Sequence, residues 1–181
     1  MKAFFLKNFL KNWKEVGSIT PSSRFLTSKM LKHINFLEVS MIVELGPGTG
    51  VFTREMLSRM KPEAELIALE TNSNFFDLLR EIKDSRLTLS EVSAGDLSSV
   101  LGGKKVDAIV SGIPFSAIKK EVREKMLYEI KDNIKEGGIF IQFQYSLDLH
   151  KLLNKIFENN VKLDFVPLNV PPAFVYTCKV K

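Results

Sequence analysis

The sequence predicts an α/β fold: a seven-stranded, mostly parallel sheet with helices on both faces, preceded by an N-terminal amphipathic helix. From residue 41 onward, short apolar runs alternate with stretches of helical spacing. The runs are continuously apolar, as strands covered on both faces must be. A glycine-rich turn sits where the first run meets the first helix.

The N-terminal helix is read from Phe5, Leu6, Phe9, Leu10, Trp13 and Val16, which recur at three- and four-residue steps and share one face. Lys7, Lys11 and Lys14 fall opposite or at the flanks. The pattern alone fits equally a helix docked on its own domain or on a second subunit, and one lying in a membrane interface. Gly17 and Pro21 break it, and Ser22, Ser23 and Arg24 present donors suited to a phosphate, although a serine here can also cap a helix beginning near Ser22. The boundary falls near Ser40: residues 1–40 form the amphipathic helix and a substrate-covering segment, and residues 41–181 the main domain.

Within that domain, strands are expected over 41–45, 65–69, 86–92, 106–110 and 139–143, and helices over 51–60, 74–82, 117–134 and 147–157. Two adjacent strands close the chain, over 161–167 and 173–180, and suggest an antiparallel edge pair.

A chain of 181 residues, 45% of them hydrophobic, supports one core. A net charge of +5 suits an anionic partner, lipid surface or nucleic acid, without choosing between them. A single cysteine, Cys178, excludes an internal disulfide, and His33 and His150 form no zinc pattern, so no metal is expected. No apolar run is long enough to span a bilayer, and lysines interrupt the first residues too often for a signal peptide, so the protein is expected to stay inside the cell.

The turn after the first strand reads Glu44, Leu45, Gly46, Pro47, Gly48, Thr49, Gly50. Its glycines allow a tight turn and let the backbone approach a ligand held at the helix N-terminus. Pro47 removes a donor that a pyrophosphate would use. Glu44 can meet the ammonium of an amino acid, and Glu70, ending the second strand, stands where a carboxylate accepts both ribose hydroxyls. After the third strand, Asp96 can accept from an adenine amino group while Leu97 covers the ring. Each acid taken singly is as readily a helix cap; in this order, at the ends of successive strands, they describe a site.

At these residues, over 41 to about 145, the chain resembles the class I S-adenosylmethionine-dependent methyltransferases, whose fold is Rossmann-like. The resemblance implies cofactor contacts at Glu44, Leu45, Gly46, Pro47, Gly48, Gly50, Glu70, Thr71, Gly95, Asp96, Leu97 and Ser111. Gly112, Ile113, Pro114 and Phe115 follow the fourth strand and look like the Asn-x-Pro-aromatic signature of amino-methylating nucleic-acid enzymes, with Gly112 in place of Asn. Gly112 removes the side-chain carbonyl that clamps a nucleobase amine. A primary alkylamine needs desolvation and a proton outlet instead, since its pKa lies near about 10.4. Pro114 and Phe115 would then form an apolar wall beside the methyl group.

The stretches 16–24, 111–114, 142–145 and 171–176 extend the likeness over essentially the whole chain, to the small bacterial phospholipid N-methyltransferases. That resemblance implies methylation of the amine of a phospholipid such as phosphatidylethanolamine, with an anionic membrane surface bound through residues 4–16 at the inner face of the membrane. In this reading Tyr145 orients the amine or relays its proton, Arg24 meets the lipid phosphate, and one of Gln142 and Gln144 faces the site while the other faces a helix layer. The competing readings are an rRNA adenine methyltransferase, disfavoured by Gly112 and by the lack of a helical domain after the sheet, and a non-catalytic membrane-binding relic, disfavoured by the intact acids and glycines.

Overall fold

The computed structural model describes residues 23–181. The expected amphipathic helix and Ser22 therefore lie outside the described residues. The chain forms α1 (Arg24–Leu31), β1 (Met41–Leu45), α2 (Val51–Arg59), β2 (Glu65–Leu69), α3 (Ser73–Arg80), β3 (Leu87–Ser90), α4 (Leu97–Leu101), β4 (Val106–Ser111), α5 (Lys120–Asp132), β5 (Ile134–Gln144), α6 (His150–Ile156), β6 (Val161–Val166) and β7 (Ala173–Lys179). The strands make one sheet in the order β3-β2-β1-β4-β5-β7-β6, parallel except that β7 runs against both its neighbours. This is the sheet expected, closing hairpin included.

Successive residues of the central strands feed opposite layers, which is why these strands read as unbroken apolar runs. Val43, Leu45, Ile109, Phe140 and Tyr176 pack under α4, α5 and α6. Ile42, Ala108, Val110, Ile141 and Val175 pack under α1 and α2. Leu26, Met30 and Leu31 of α1 belong to this second layer, so residues ahead of Ser40 share the domain's core. Asp164 on β6 meets the same helix at Lys29, 3.3 Å away, and His33 just past its end at 3.6 Å.

Several bounds differ from expectation for local reasons. Helix α5 starts at Lys120 rather than 117, because residues Phe115–Ala117 are wound into a 3₁₀ turn. Strand β5 begins at Ile134 and shifts register between Val106 and Ala108 of its neighbour, absorbing Gly137 and Gly138. The five-residue α4 and the 3₁₀ turn before it, Ala94–Asp96, are too short to show a period in the sequence.

Candidate active site

Parallel register places Leu45 beside Leu69 and Ser111, and Ser111 beside Gln142, so the turns that follow β1, β2, β4 and β5 open on one edge of the sheet. After β1, Gly46, Gly48 and Gly50 have φ of +67°, +57° and +78°. A side chain is excluded twice over at Gly50, where a Cβ would lie 3.0 Å from Leu79. At Gly48 a Cβ would meet nothing within 4 Å, so this glycine serves backbone conformation and faces open space.

Two acids hold this turn. Glu70 is buried; one carboxylate oxygen accepts from Gly48 N at 3.1 Å and the other from Asn72 N at 2.9 Å, joining the glycine turn to the end of β2. Glu44 is buried beneath α2, where its Oε2 accepts from the Thr53 hydroxyl at 2.6 Å and its Oε1 has no partner. Burial, reinforced by the nearby Glu70 and opposed by the Thr53 hydrogen bond, pushes its pKa up to about 8. Neither acid caps a helix: Gly50 and Asn72 occupy those positions.

After β3, Asp96 is exposed and makes no capping bond to α4. Gly95 is half-buried and Thr71 exposed, whereas Leu45 and Pro47 are buried and contribute backbone: their carbonyls accept from Gly112 N at 2.8 Å and Gly50 N at 3.0 Å. Leu97 is fully buried in the core cluster that also holds Ala94, Leu101 and Met126, so it offers no exposed face to cover a ring as expected.

The turn after β4 is built around the Ile113 peptide. The Ser111 hydroxyl accepts from Ile113 N at 3.2 Å, and the Ile113 carbonyl accepts from the side-chain amides of Gln142 at 3.0 Å and Gln144 at 3.1 Å. The Ser116 hydroxyl donates to the Gln144 oxygen at 3.2 Å. The two glutamines thus act on one side, contrary to the expected division between site and helix layer; residues two apart on a strand share a face. Gly112 is packed against the first glycine turn, where a Cβ would lie 2.8 Å from the Gly46 carbonyl oxygen. Pro114 is half-buried, but Phe115 is fully buried, edge-on to Phe140 at 6.4 Å. The expected apolar wall therefore loses Phe115, because the 3₁₀ turn rolls that ring into the core.

Tyr145, just past β5, packs edge-on against Phe143 at 5.7 Å. Burial raises the pKa of its hydroxyl, opposed by a hydrogen bond with Asn169. Asn169 carries no sequence signal beyond being polar between Leu168 and Val170, yet it also accepts from Ser23 N at 3.2 Å and so ties the start of α1 to the site edge. The Ser23 hydroxyl caps α1, accepting from Leu26 N at 3.3 Å, the capping role that the sequence also allowed. Arg24 is exposed, its guanidinium 5.1 Å from the Phe25 ring. Among the described residues, no group of three or more His, Cys, Asp or Glu side chains could hold a metal ion. Shallow clefts of about 530 and 680 Å³ open at the far end of β5 and β7, around Gly137, Asn160 and Lys179, and no expected site residue among the described residues lines them.

Residues 16–164 match the Methyltransferase small domain family. The chain is 31% identical to an ornithine lipid N-methyltransferase of Singulisphaera acidiphila, over 99% of this chain and 97% of that protein. It is 26% identical to an rRNA adenine N-6-methyltransferase of Escherichia coli, over 81% of this chain but only 60% of that protein. Among solved structures, the plantazolicin methyltransferase BpumL, in complex with a triazolic desmethylPZN analog and SAH, superposes with a TM-score of 0.69 at 12% identity, covering 97% of this chain and 91% of that one. A precorrin-6y C5,15-methyltransferase from Geobacter metallireducens superposes with a TM-score of 0.68 at 15% identity, covering 91% of this chain and 96% of that one.

Proposed function

Because the chain belongs to the Methyltransferase small domain family and takes S-adenosylmethionine as methyl donor, we propose that it methylates the primary amine of a membrane lipid, phosphatidylethanolamine or an ornithine lipid. The observation that carries this reading is the end-to-end likeness to an ornithine lipid N-methyltransferase, whereas the likeness to rRNA enzymes spans little more than half of them.

The donor site fits its ligand. The open side of Gly48 admits a close approach of the donor to the backbone. The unpartnered Oε1 of Glu44 is the group for an ammonium, Glu70 for the ribose hydroxyls and Asp96 for the adenine amino group. The bound donor supplies an electrophilic methyl on a sulfonium. The acceptor turn is shaped against a nucleobase: Gly112 offers no side-chain acceptor and no room for one, and Phe115 has no free face on which a base could stack. The Ile113 carbonyl, doubly held, forms a fixed polar point beside Pro114. An alkylamine needs less. Once it has surrendered its proton to water, its nitrogen forms the bond to the methyl carbon as the carbon–sulfur bond breaks, and S-adenosylhomocysteine leaves. The protein's share of the acceleration is placement in a dry pocket, with Tyr145 orienting the amine and Arg24 available to the lipid phosphate. Residues 4–16 are proposed to hold the enzyme at the inner membrane face.

Labelled S-adenosylmethionine, offered with vesicles of phosphatidylethanolamine, vesicles of ornithine lipid and rRNA in separate reactions, tests this. Label in either lipid supports the reading; label confined to rRNA transfers the chain to the adenine-methylating branch.

A further inference from the structure

The acceptor half of the sheet edge carries an apolar and basic rim that the chemistry above does not use. Since β7 runs antiparallel to both β5 and β6, the hairpin turn over residues 167–172 lies at the same edge as the ends of β4 and β5. At its tip Leu168 is 62% and Val170 85% exposed, while Asn169 between them is 4% exposed. Asn169 accepts from Ser23 N, donates its amide to the Pro171 carbonyl at 2.7 Å and its backbone N–H to the Val166 carbonyl at 3.4 Å. The turn is pinned from within and holds its two apolar side chains outward, where they gain nothing from water. Phe25 at the start of α1 and Leu147 past β5 are exposed on the same edge. Arg24, Lys119, Lys120 and Lys151, at or beside the first turns of α1, α5 and α6, are exposed at the same edge of the sheet. Glu121 and Asp148 stand among them and leave the cations in excess.

We propose that this rim docks on an anionic bilayer, with Leu168 and Val170 entering the acyl boundary and the flanking cations meeting the headgroups. A fixed apolar tip bordered by cations is the combination that binds such an interface. The inference rests on the lipid-amine reading and deepens it: the surface that touches the membrane is the edge on which Gly112 to Pro114 open, so a headgroup amine reaches the site while its lipid stays in the leaflet. Leu37 supplies a control. It is 80% exposed, but it precedes β1 and so lies at the opposite edge.

The experiment compares the full chain with Leu168→Asp/Val170→Asp and with Leu37→Asp. Each is sedimented with vesicles of phosphatidylglycerol and phosphatidylethanolamine, and each is assayed on short-chain phosphatidylethanolamine below its micellar concentration. All the changed side chains are exposed, and S-adenosylmethionine binding with an unchanged melting temperature confirms the fold. The double variant is expected to partition at least about tenfold more weakly than the parent and Leu37→Asp to match it. Vesicle turnover should fall with binding while turnover of the short-chain lipid holds. Pelleting of the double variant like the parent overturns the proposal. The short-chain arm is independent: if the parent methylates no lipid there, the substrate reading fails, and the pelleting arm still decides whether the rim binds membranes.

Discussion

A Cβ placed on Gly112 would lie 2.8 Å from the Gly46 carbonyl oxygen, closer than such atoms approach without something moving. Gly112→Asn should therefore displace the glycine turn, lower stability by about 1–3 kcal/mol, and cut lipid turnover while creating no rRNA methylation; a melt together with the labelled assay checks both. Glu70→Ala removes the tie between Gly48 and Asn72 as well as the proposed ribose contact, each charged bond worth about 1.5–3 kcal/mol. Calorimetry should show S-adenosylmethionine affinity reduced at least tenfold with the fold retained. For Glu44 the expectation concerns pH. Its pKa is raised from 4.5 to about 8 by burial, so the folded state holds this proton more tightly than the unfolded one. The associated stability is complete below 4.5 and is lost as pH rises through about 8. The melting temperature of the ligand-free protein should fall over that window, and Glu44→Gln should flatten the fall. An equal slope in the variant would assign the pH dependence elsewhere. That Glu44, Glu70 and Asp96 stand towards one edge of the sheet was readable in the sequence, because the ends of parallel strands share an edge. Leu97 and Phe115 were misread because chain position does not reveal which side of a short 3₁₀ turn rolls inward.

At the scale of elements, the strand β5 and the turn after β4 form one device, in which the amides of Gln142 and Gln144 both grip the Ile113 carbonyl. Gln144→Leu leaves the Ser116 hydroxyl without its acceptor and loosens that peptide. The expected result is a fall in kcat of about fivefold or more with donor affinity unchanged, since a hydrogen bond in such a place contributes about 1 kcal/mol or more. Gln144→Glu, which keeps the length but loses the donor, should not rescue it. Here sequence reasoning had the residues and missed their joint action, since the partner is a backbone carbonyl about thirty residues away in sequence. The longer elements were legible from their apolar periods. α4 and the early start of β5 were not, the first for want of length and the second because Lys135 to Gly138 interrupt the apolar run that marks the strand.

On the scale of the whole molecule, the sheet gives the protein two unlike ends: clefts without site residues at one, and donor turn, acceptor turn, Asn169 and the apolar tip at the other. Fold and donor were legible in the strand alternation and the acids at strand ends; for the proposed acceptor turn the sequence offered the missing side chain at Gly112 but not the burial of Phe115, which only the packing of the 3₁₀ turn against Phe140 reveals. The proposed membrane contact should weaken with salt, as attraction between the basic rim and an anionic surface is screened within about 10 Å at 0.1 M ionic strength. The most direct measurement is transfer of label from S-adenosylmethionine to phosphatidylethanolamine or ornithine lipid in vesicles, run beside an equimolar rRNA reaction. Label in lipid, absent from rRNA, is the predicted result; label in rRNA alone, or in no acceptor by a protein that binds S-adenosylmethionine, contradicts the account.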